Sequence, residues 1–162
     1  MPARFVPCLC LLLCATALPV TAAEPLPRGN CAQPQPLTDL AHCDFSGRKL
    51  VSRDLHGVRL AGAKLESADL RKANLAGADL SRSNAKWARF NGAVLKGADL
   101  RDADLFHAVF DEADLSGARL VGAYLFGANL IDTRAPKADF TGAYLKDVLM
   151  EGIDLSGGSI RN

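Results

Sequence analysis

Residues 98–117 contain the sequence ADLRD-ADLFH-AVFDE-ADLSG, which is four successive five-residue units with one pattern. The pattern runs without insertion or deletion through residues 38–162. Counting in fives from Leu40 to Ile160, 23 of 25 positions hold Leu, Phe, Met or Ile, so the phase never slips. Ala is the usual residue two places before, Asp or Asn is frequent one place before, and Gly is frequent two places after.

A period of five fits neither a helix nor a straight strand. On a helix, successive leucines would advance by about 140° and leave no apolar face. On a straight strand, the odd spacing would place them on alternate faces. The chain must therefore bend once per unit, with Ala and Leu inside. Gly at the bend permits positive φ, and the Asp or Asn side chain can hydrogen-bond to nearby backbone amides.

The repeat resembles the pentapeptide-repeat family, whose signature is A-(D/N)-L-x-x. Units 98–102 and 113–117 match it fully, and the resemblance extends from about Leu40 to Ile160. It implies an all-β fold, a right-handed quadrilateral β-helix with four units per coil. At about 20 residues per coil, the repeat would form a little over six coils, with no C-terminal helix.

The N-terminal residues have a different composition from the repeat. Residues 1–23 have the layout of a secretory signal peptide, with Arg4, an apolar run and small residues before a cleavage site after Ala23. The apolar run is too short to cross a bilayer. We therefore predict a signal peptide in residues 1–23, a Pro-rich arm or cap in residues 24–37, and the β-helix in residues 38–162.

Two cysteines remain after the predicted cleavage, Cys31 and Cys43. In an exported chain they most simply form a disulfide, and two buried free thiols are the alternative. A disulfide would hold the Pro-rich arm over the N-terminal end of the core.

The signal peptide predicts a bacterial protein that is exported through a Sec-type route and is periplasmic or secreted. A lipoprotein signal with Cys14 as acceptor is a poorer alternative, because Leu13 stands where a small residue is required. The chain has 19 Lys+Arg and 18 Asp+Glu, so it has no basic excess for phosphate backbones. We expect no nucleic-acid partner and no integral membrane segment in the mature chain.

The sequence shows no pattern typical of a catalytic, cofactor or metal site. His42, His56 and His107 lack the H-x3-H spacing of zinc ligands, and surface histidines are the simpler interpretation. Gly57 and Gly62 have the spacing of a P-loop without its Lys and Ser or Thr. The Asp column recurs in nearly every unit, as a role in the turns requires. We predict no enzyme activity, no cofactor and no metal.

Sorting the outward residues by the four-unit coil places every outward aromatic residue of the mature chain on one side. This candidate partner-binding face, the aromatic face below, consists of Trp87, Phe106, His107, Tyr124, Phe126 and Tyr144, flanked by Lys86 and Lys146. It is either a binding surface or a ladder that only stabilises the sheet. Trp87 is its least secure member, because the small Ala85 beneath it would let the ring pack inward.

Two functions remain open. The first is a non-enzymatic exported scaffold that binds an unidentified envelope protein, or itself, through the aromatic face or a coil end. A homodimer through the C-terminal coils is expected, because inward residues of the last coil are apolar. The second follows from the resemblance: some family members mimic B-form DNA, bind DNA gyrase and protect it from quinolone-type inhibitors. That function requires a cytosolic location and an acidic surface, neither of which this sequence indicates.

Overall fold

The computed structural model describes residues 24–161, and the predicted signal peptide lies outside them. From Asp39 to Ser159, every fifth residue forms a parallel β-bridge with the residue 20 positions along the chain, as Asp39 does with Arg59. Two-residue turns separate the bridges, and the described residues form no helix, so none that could span a bilayer. The chain is a right-handed quadrilateral β-helix with 20 residues per coil, which confirms the predicted fold.

The bridges form four parallel sheets, one on each side of the coil, and each strand is a single bridging residue. Sheet 1 contains Asp39, Arg59, Asp79, Asp99, Arg119, Asp139 and Ser159; sheet 2 contains Asp44, Lys64, Asn84, Asp104, Tyr124 and Tyr144; sheet 3 contains Lys49, Asp69, Arg89, Val109, Asn129 and Leu149; sheet 4 contains Asp54, Asn74, Val94, Asp114, Arg134 and Asp154.

Each bend is a turn whose second central residue has positive φ. In the turn that follows Leu60, the backbone N–H of Ala63 donates to the Leu60 carbonyl at 2.9 Å, and Gly62 has φ of 69°. This combination defines a type II turn, which favours Gly at that position. From Leu37 onwards, 24 of 25 such positions have positive φ and 12 of them are Gly. His42 is the exception.

The Asp and Asn column stabilises these turns, as predicted. In 12 of its 13 members, the side-chain Oδ1 accepts the backbone N–H two residues later, as Asp79 does from Ser81 at 3.0 Å. Asn129 differs, because its Nδ2 donates to Asp111 Oδ2 at 3.4 Å. The regular acids therefore have a structural role.

The core consists of the Leu and Ala columns. From Leu40 to Phe140, every residue of the Leu column is at most 2% exposed, and burial of each Leu contributes about 1.5–3 kcal/mol. The rings of Phe90 and Phe110 stack inside it, 4.8 Å apart. The last coil is open, and Ile160 is 47% exposed.

The N-terminal arm in residues 24–37 lies against the first coil. The N–H of Gly29 donates to the Asp39 carbonyl at 2.9 Å, and the N–H of Asp39 donates to the Pro27 carbonyl at 2.8 Å. Arg28 forms a parallel bridge with Asp39. The arm thus extends the side of sheet 1 past the first repeat.

Candidate functional site

The aromatic face lies on sheet 2 and on the corner that follows it. Its six rings form three columns, in which neighbours are 20 residues apart. Tyr124 and Tyr144 occupy the bridging position, Phe106 and Phe126 the first turn position, and Trp87 and His107 the second turn position. The coil thus brings together all six residues that the sequence pattern grouped.

Rings within one column lie parallel and stacked. The centroid distances are 4.4 Å between Trp87 and His107, 5.6 Å between Phe106 and Phe126, and 5.0 Å between Tyr124 and Tyr144. Their interplanar angles are 10° or less. Stacking therefore covers the facing sides of the two rings in each column and leaves their edges to solvent.

Adjacent columns also touch each other. Trp87 meets Phe106 edge to face at a centroid distance of 5.4 Å, and Tyr124 lies 6.3 Å from Phe106. The imidazole of His107 packs over Gly127, where a Cβ would lie 2.5 Å from the ring. The aromatic face is therefore one continuous cluster. The absence of a side chain at Gly127 leaves the space that the His107 ring occupies.

The face is only partly covered by its own contacts. Trp87 is 50% exposed, Tyr144 45% and Tyr124 41%, while Phe106 and Phe126 are half-buried. Trp87 does not pack inward over Ala85. It remains on the surface and stacks on His107, with the ring centroids 4.4 Å apart.

Two lysines flank the rings. Lys86 Nζ lies 3.1 Å from Asp104 Oδ2, while Lys146 Nζ lies 5.9 Å from the ring centroid of Phe126. The second contact is within the range of a cation–π interaction. The apolar centre of the face therefore has a polar border.

Elsewhere on the surface, acids of one coil face bases of the next. The inter-coil pairs include Arg59 Nη1 and Asp39 Oδ2 at 2.8 Å, Lys64 Nζ and Asp44 Oδ2 at 3.6 Å, and Arg134 Nη1 and Asp114 Oδ2 at 3.8 Å. Within one turn, hydrogen bonds from the Arg101 side chain to Asp99 lower the pKa of that carboxyl. These pairs keep positive and negative charges interspersed.

A disulfide closes the N-terminal end of the core. It joins Cys31 on the arm to Cys43 in the first coil, with Cα atoms 5.5 Å apart. Arg48 Nη1 donates to the Cys31 carbonyl at 2.5 Å, and its guanidinium lies 5.5 Å from the ring centroid of Phe45. The structure contains the disulfide that the sequence favours, and its presence in the exported protein stays a prediction.

Sequence reasoning missed the position of His42. Its Nε2 lies 3.5 Å from Cys31 Sγ and 3.8 Å from Cys43 Sγ. Adjacency to Cys43 was a signal, but the path of the arm that brings Cys31 there is not part of the repeat. His56 instead bonds Asp54 at 2.9 Å.

A family model for pentapeptide repeats, in eight copies, matches residues 54–92, 86–122 and 123–162. The chain belongs to the pentapeptide-repeat family. Pentapeptide-repeat proteins are generally non-enzymatic structural modules.

Solved structures similar to this pentapeptide-repeat chain include Rfr23 from the cyanobacterium Cyanothece 51142, at 23% identity over 74% of this chain and 88% of that one, with a TM-score of 0.45. HetL from Nostoc sp. strain PCC 7120, involved in heterocyst differentiation regulation, is 34% identical over 76% and 70%, with a TM-score of 0.31. A trypsin-treated variant of QnrB1, a plasmid-mediated fluoroquinolone resistance protein, is 20% identical over 77% and 78%, with a TM-score of 0.41. Among curated protein sequences, none matches the chain.

Proposed function

We propose that this pentapeptide-repeat protein is a non-enzymatic exported scaffold that binds another protein through its aromatic face. The observation that carries the proposal is a continuous cluster of six rings on a sheet surface, three of them at least 41% exposed. Rings that already stack on each other lose little side-chain entropy on binding, and exposed aromatic residues are common anchors of interfaces.

The orientation of the rings favours a protein surface as the ligand. Within each column the two rings cover each other's facing sides, so a sugar or base cannot enter between Tyr124 and Tyr144 or between Phe106 and Phe126. Ring edges carry partial positive charge and suit carbonyl oxygens as well as apolar side chains. A folded partner with an apolar patch and exposed backbone or side-chain carbonyls has this chemistry.

Gyrase binding by DNA mimicry is the weaker candidate. A mimic of DNA needs a continuous negative surface, whereas here the acids Asp39, Asp44 and Asp114 each face a base of the neighbouring coil. The formal net charge of the chain is +1. This charge pattern supports the scaffold over the mimic, and the predicted export route supports it as well.

Substitution of two central rings tests the proposal. Affinity capture from an envelope extract with the Phe106→Ser/Phe126→Ser variant should lose the partner that the natural chain captures. Val51→Ser is the matched control, because Val51 is 41% exposed and lies outside the aromatic face. The melting temperature should fall only slightly, since each ring in a ladder contributes about 0.2–1 kcal/mol. Unchanged capture, or a large loss of stability with capture intact, would leave only the ladder.

Trp87 provides a second, direct measurement. It is the single tryptophan of the chain and is half exposed. A captured partner that covers the face should shift its fluorescence to the blue and protect it from a soluble quencher. A partner that binds without changing this fluorescence or quenching binds elsewhere on the chain.

A further inference from the structure

We propose that Cys31, His42 and Cys43 form a second, reduced state of the N-terminal cap, in which the two thiolates and the imidazole hold one thiophilic d¹⁰ cation, Zn²⁺ or Cu⁺. In this state the metal replaces the disulfide as the link between the arm and the first coil. The three candidate ligand atoms lie within 4.8 Å of one another.

The position of the imidazole already fits such a site. With metal–sulfur bonds of about 2.3 Å and metal–nitrogen bonds of about 2.0 Å, a tetrahedral ion separates sulfur from nitrogen ligands by about 3.5 Å. His42 Nε2 lies 3.5 Å from Cys31 Sγ and 3.8 Å from Cys43 Sγ. Only the two sulfurs, bonded in the present structure, must separate, to about 3.8 Å for a tetrahedral ion.

The backbone beneath His42 differs from that of the other turns. All 24 other positions of its column between residues 37 and 157 have positive φ, and His42 does not. Arg28 Nε donates to His42 Nε2 at 3.3 Å, so this nitrogen carries the lone pair that a metal requires. Arg28 is exposed and can turn away when the ion binds.

The arm keeps its place when the disulfide opens, because other contacts hold it. Arg48 fixes the Cys31 carbonyl, and the backbone hydrogen bonds of Gly29 and Asp39 hold the strand beside it. Cys43 is 3% exposed and anchored in the core. The thiols therefore remain facing each other, which is what a preformed metal site needs.

Charge also permits the site. Zn²⁺ with two thiolates and a neutral imidazole is neutral, and Cu⁺ in the same site gives a charge of −1. Neither is repelled by the nearby guanidinium groups of Arg28 and Arg48. The Asp39 carboxylate already bonds Arg59 and the N–H of Ala41, which leaves further coordination positions to water.

The change of state requires a dithiol reductant. One of its thiolates attacks a disulfide sulfur, the S–S bond breaks through a mixed disulfide, and the reductant leaves as its own disulfide. Two electrons and two protons are thereby transferred to the sulfurs of Cys31 and Cys43. The cation then displaces both protons as the thiolates bind it.

The test uses the full chain with Cys8→Ser, Cys10→Ser and Cys14→Ser, so that Cys31 and Cys43 are its only thiols. The protein is reduced without oxygen by a phosphine and titrated separately with Zn²⁺ and Cu⁺ against a colorimetric chelator of each ion. We expect one ion per reduced chain and no stoichiometric binding by the oxidised chain. The ion that the reduced chain binds more tightly is the cation of the site.

Variants separate this site from a simple pair of thiols. His42→Ala should weaken binding at least tenfold, His42→Cys should restore it with a third thiolate, and His56→Ala is the matched control that should bind as the natural chain does. Co²⁺ in the reduced chain should show visible absorption and thiolate charge transfer that His42→Ala alters. Equal binding by the two alanine variants, or no binding of either ion by the reduced chain, would overturn the proposal.

Loss of structure on reduction does not remove the test. If circular dichroism shows that the reduced chain without metal is unfolded, added Zn²⁺ or Cu⁺ should refold it. Failure to refold it counts against the site. If it stays folded, bound ion should raise its melting temperature. The aromatic face takes no part in these measurements, so their outcome is independent of the proposed scaffold function.

Discussion

Gly97 shows what the turn requires of a single residue. Its φ is 63°, and a Cβ built on it would meet no atom within 4 Å. Any cost of a side chain there is therefore backbone strain rather than a clash. Ser67 occupies the same position of another unit with φ of 57°, so the fold already tolerates such strain in places.

Gly97→Ala should lower the free energy of unfolding by about 1 kcal/mol, because an L-residue is disfavoured at positive φ. Ser67→Ala is the control and should change stability little, since Ser67 already has a Cβ in that conformation. Urea denaturation measures both. Equal losses in the two variants would show that positive φ is not the cause.

Asp99 links one residue to the pH dependence of stability. Hydrogen bonds from the Arg101 side chain, with a further one from its backbone N–H, hold the pKa of this carboxyl below its ordinary value of 3.8. The folded chain therefore binds this proton less readily than the unfolded chain does. The resulting stabilisation is complete above the unfolded pKa and is lost as pH falls through the folded pKa.

The melting temperature should accordingly fall as the solution is acidified below about pH 5. Asp99→Asn should reduce this slope, and so should Arg101→Ala, because each removes the same pair. The double variant should reduce the slope of melting temperature against pH no more than either single variant does. A slope unchanged in both single variants would contradict this assignment.

At the scale of the element, the N-terminal cap differs most from the repeat. The disulfide closes a loop between Cys31 and Cys43, which are 12 positions apart in the sequence. Arg48 and the backbone bonds of Asp39 add polar contacts to it. The cap therefore combines a covalent link with weaker interactions that act locally.

Cys31→Ser/Cys43→Ser should lower the free energy of unfolding by about 3 kcal/mol, the value of a loop of this length in the chain-entropy model. Chemical denaturation with a chelator present measures it, and reduction of the natural chain is the control, expected to cause the same loss. Non-reducing mass spectrometry of exported protein should show one disulfide. Two alkylatable thiols there would rule it out.

The sequence predicted the repeating elements and the pairing of Cys31 with Cys43, but not the detailed course of the arm. A period of five determines which residues face inward, and the family resemblance supplied the 20-residue coil that gathers Phe106, Phe126 and Tyr144 on one side. The arm has no period, so its course was not predictable. The contact of His42 with Cys31 depends on that course. The exposure of Trp87 depends on its stacking with His107, which the repeat pattern does not specify.

At the scale of the whole molecule, the two ends of the β-helix differ. The arm covers the N-terminal end, whereas at the last described coil Ile160, which belongs to the inward Leu column, is 47% exposed. Leu145, Met150 and Leu155 are only partly buried there. An apolar coil end with free strand edges is a surface for another chain.

We expect a two-fold dimer through this C-terminal coil, because a second copy presents the same apolar residues and the same strand edges. Light scattering at high micromolar concentration should give twice the mass of one chain. Ile160→Lys should shift the equilibrium to monomer, whereas Val51→Lys, at an exposed apolar residue far from this end, should not. A monomer of the natural chain at that concentration would disprove a stable dimer.

The uniform coil also constrains how such a gene can change in length. Loss of five residues would preserve the alternation of Leu and Ala, so the interior would still close. It would, however, rotate everything downstream by a quarter turn, and a loss between Trp87 and Tyr144 would divide the aromatic columns between neighbouring sides. Only gain or loss of 20 residues leaves every column aligned. Selection for the interior therefore tolerates steps of one repeat, while selection for a surface tolerates only whole coils.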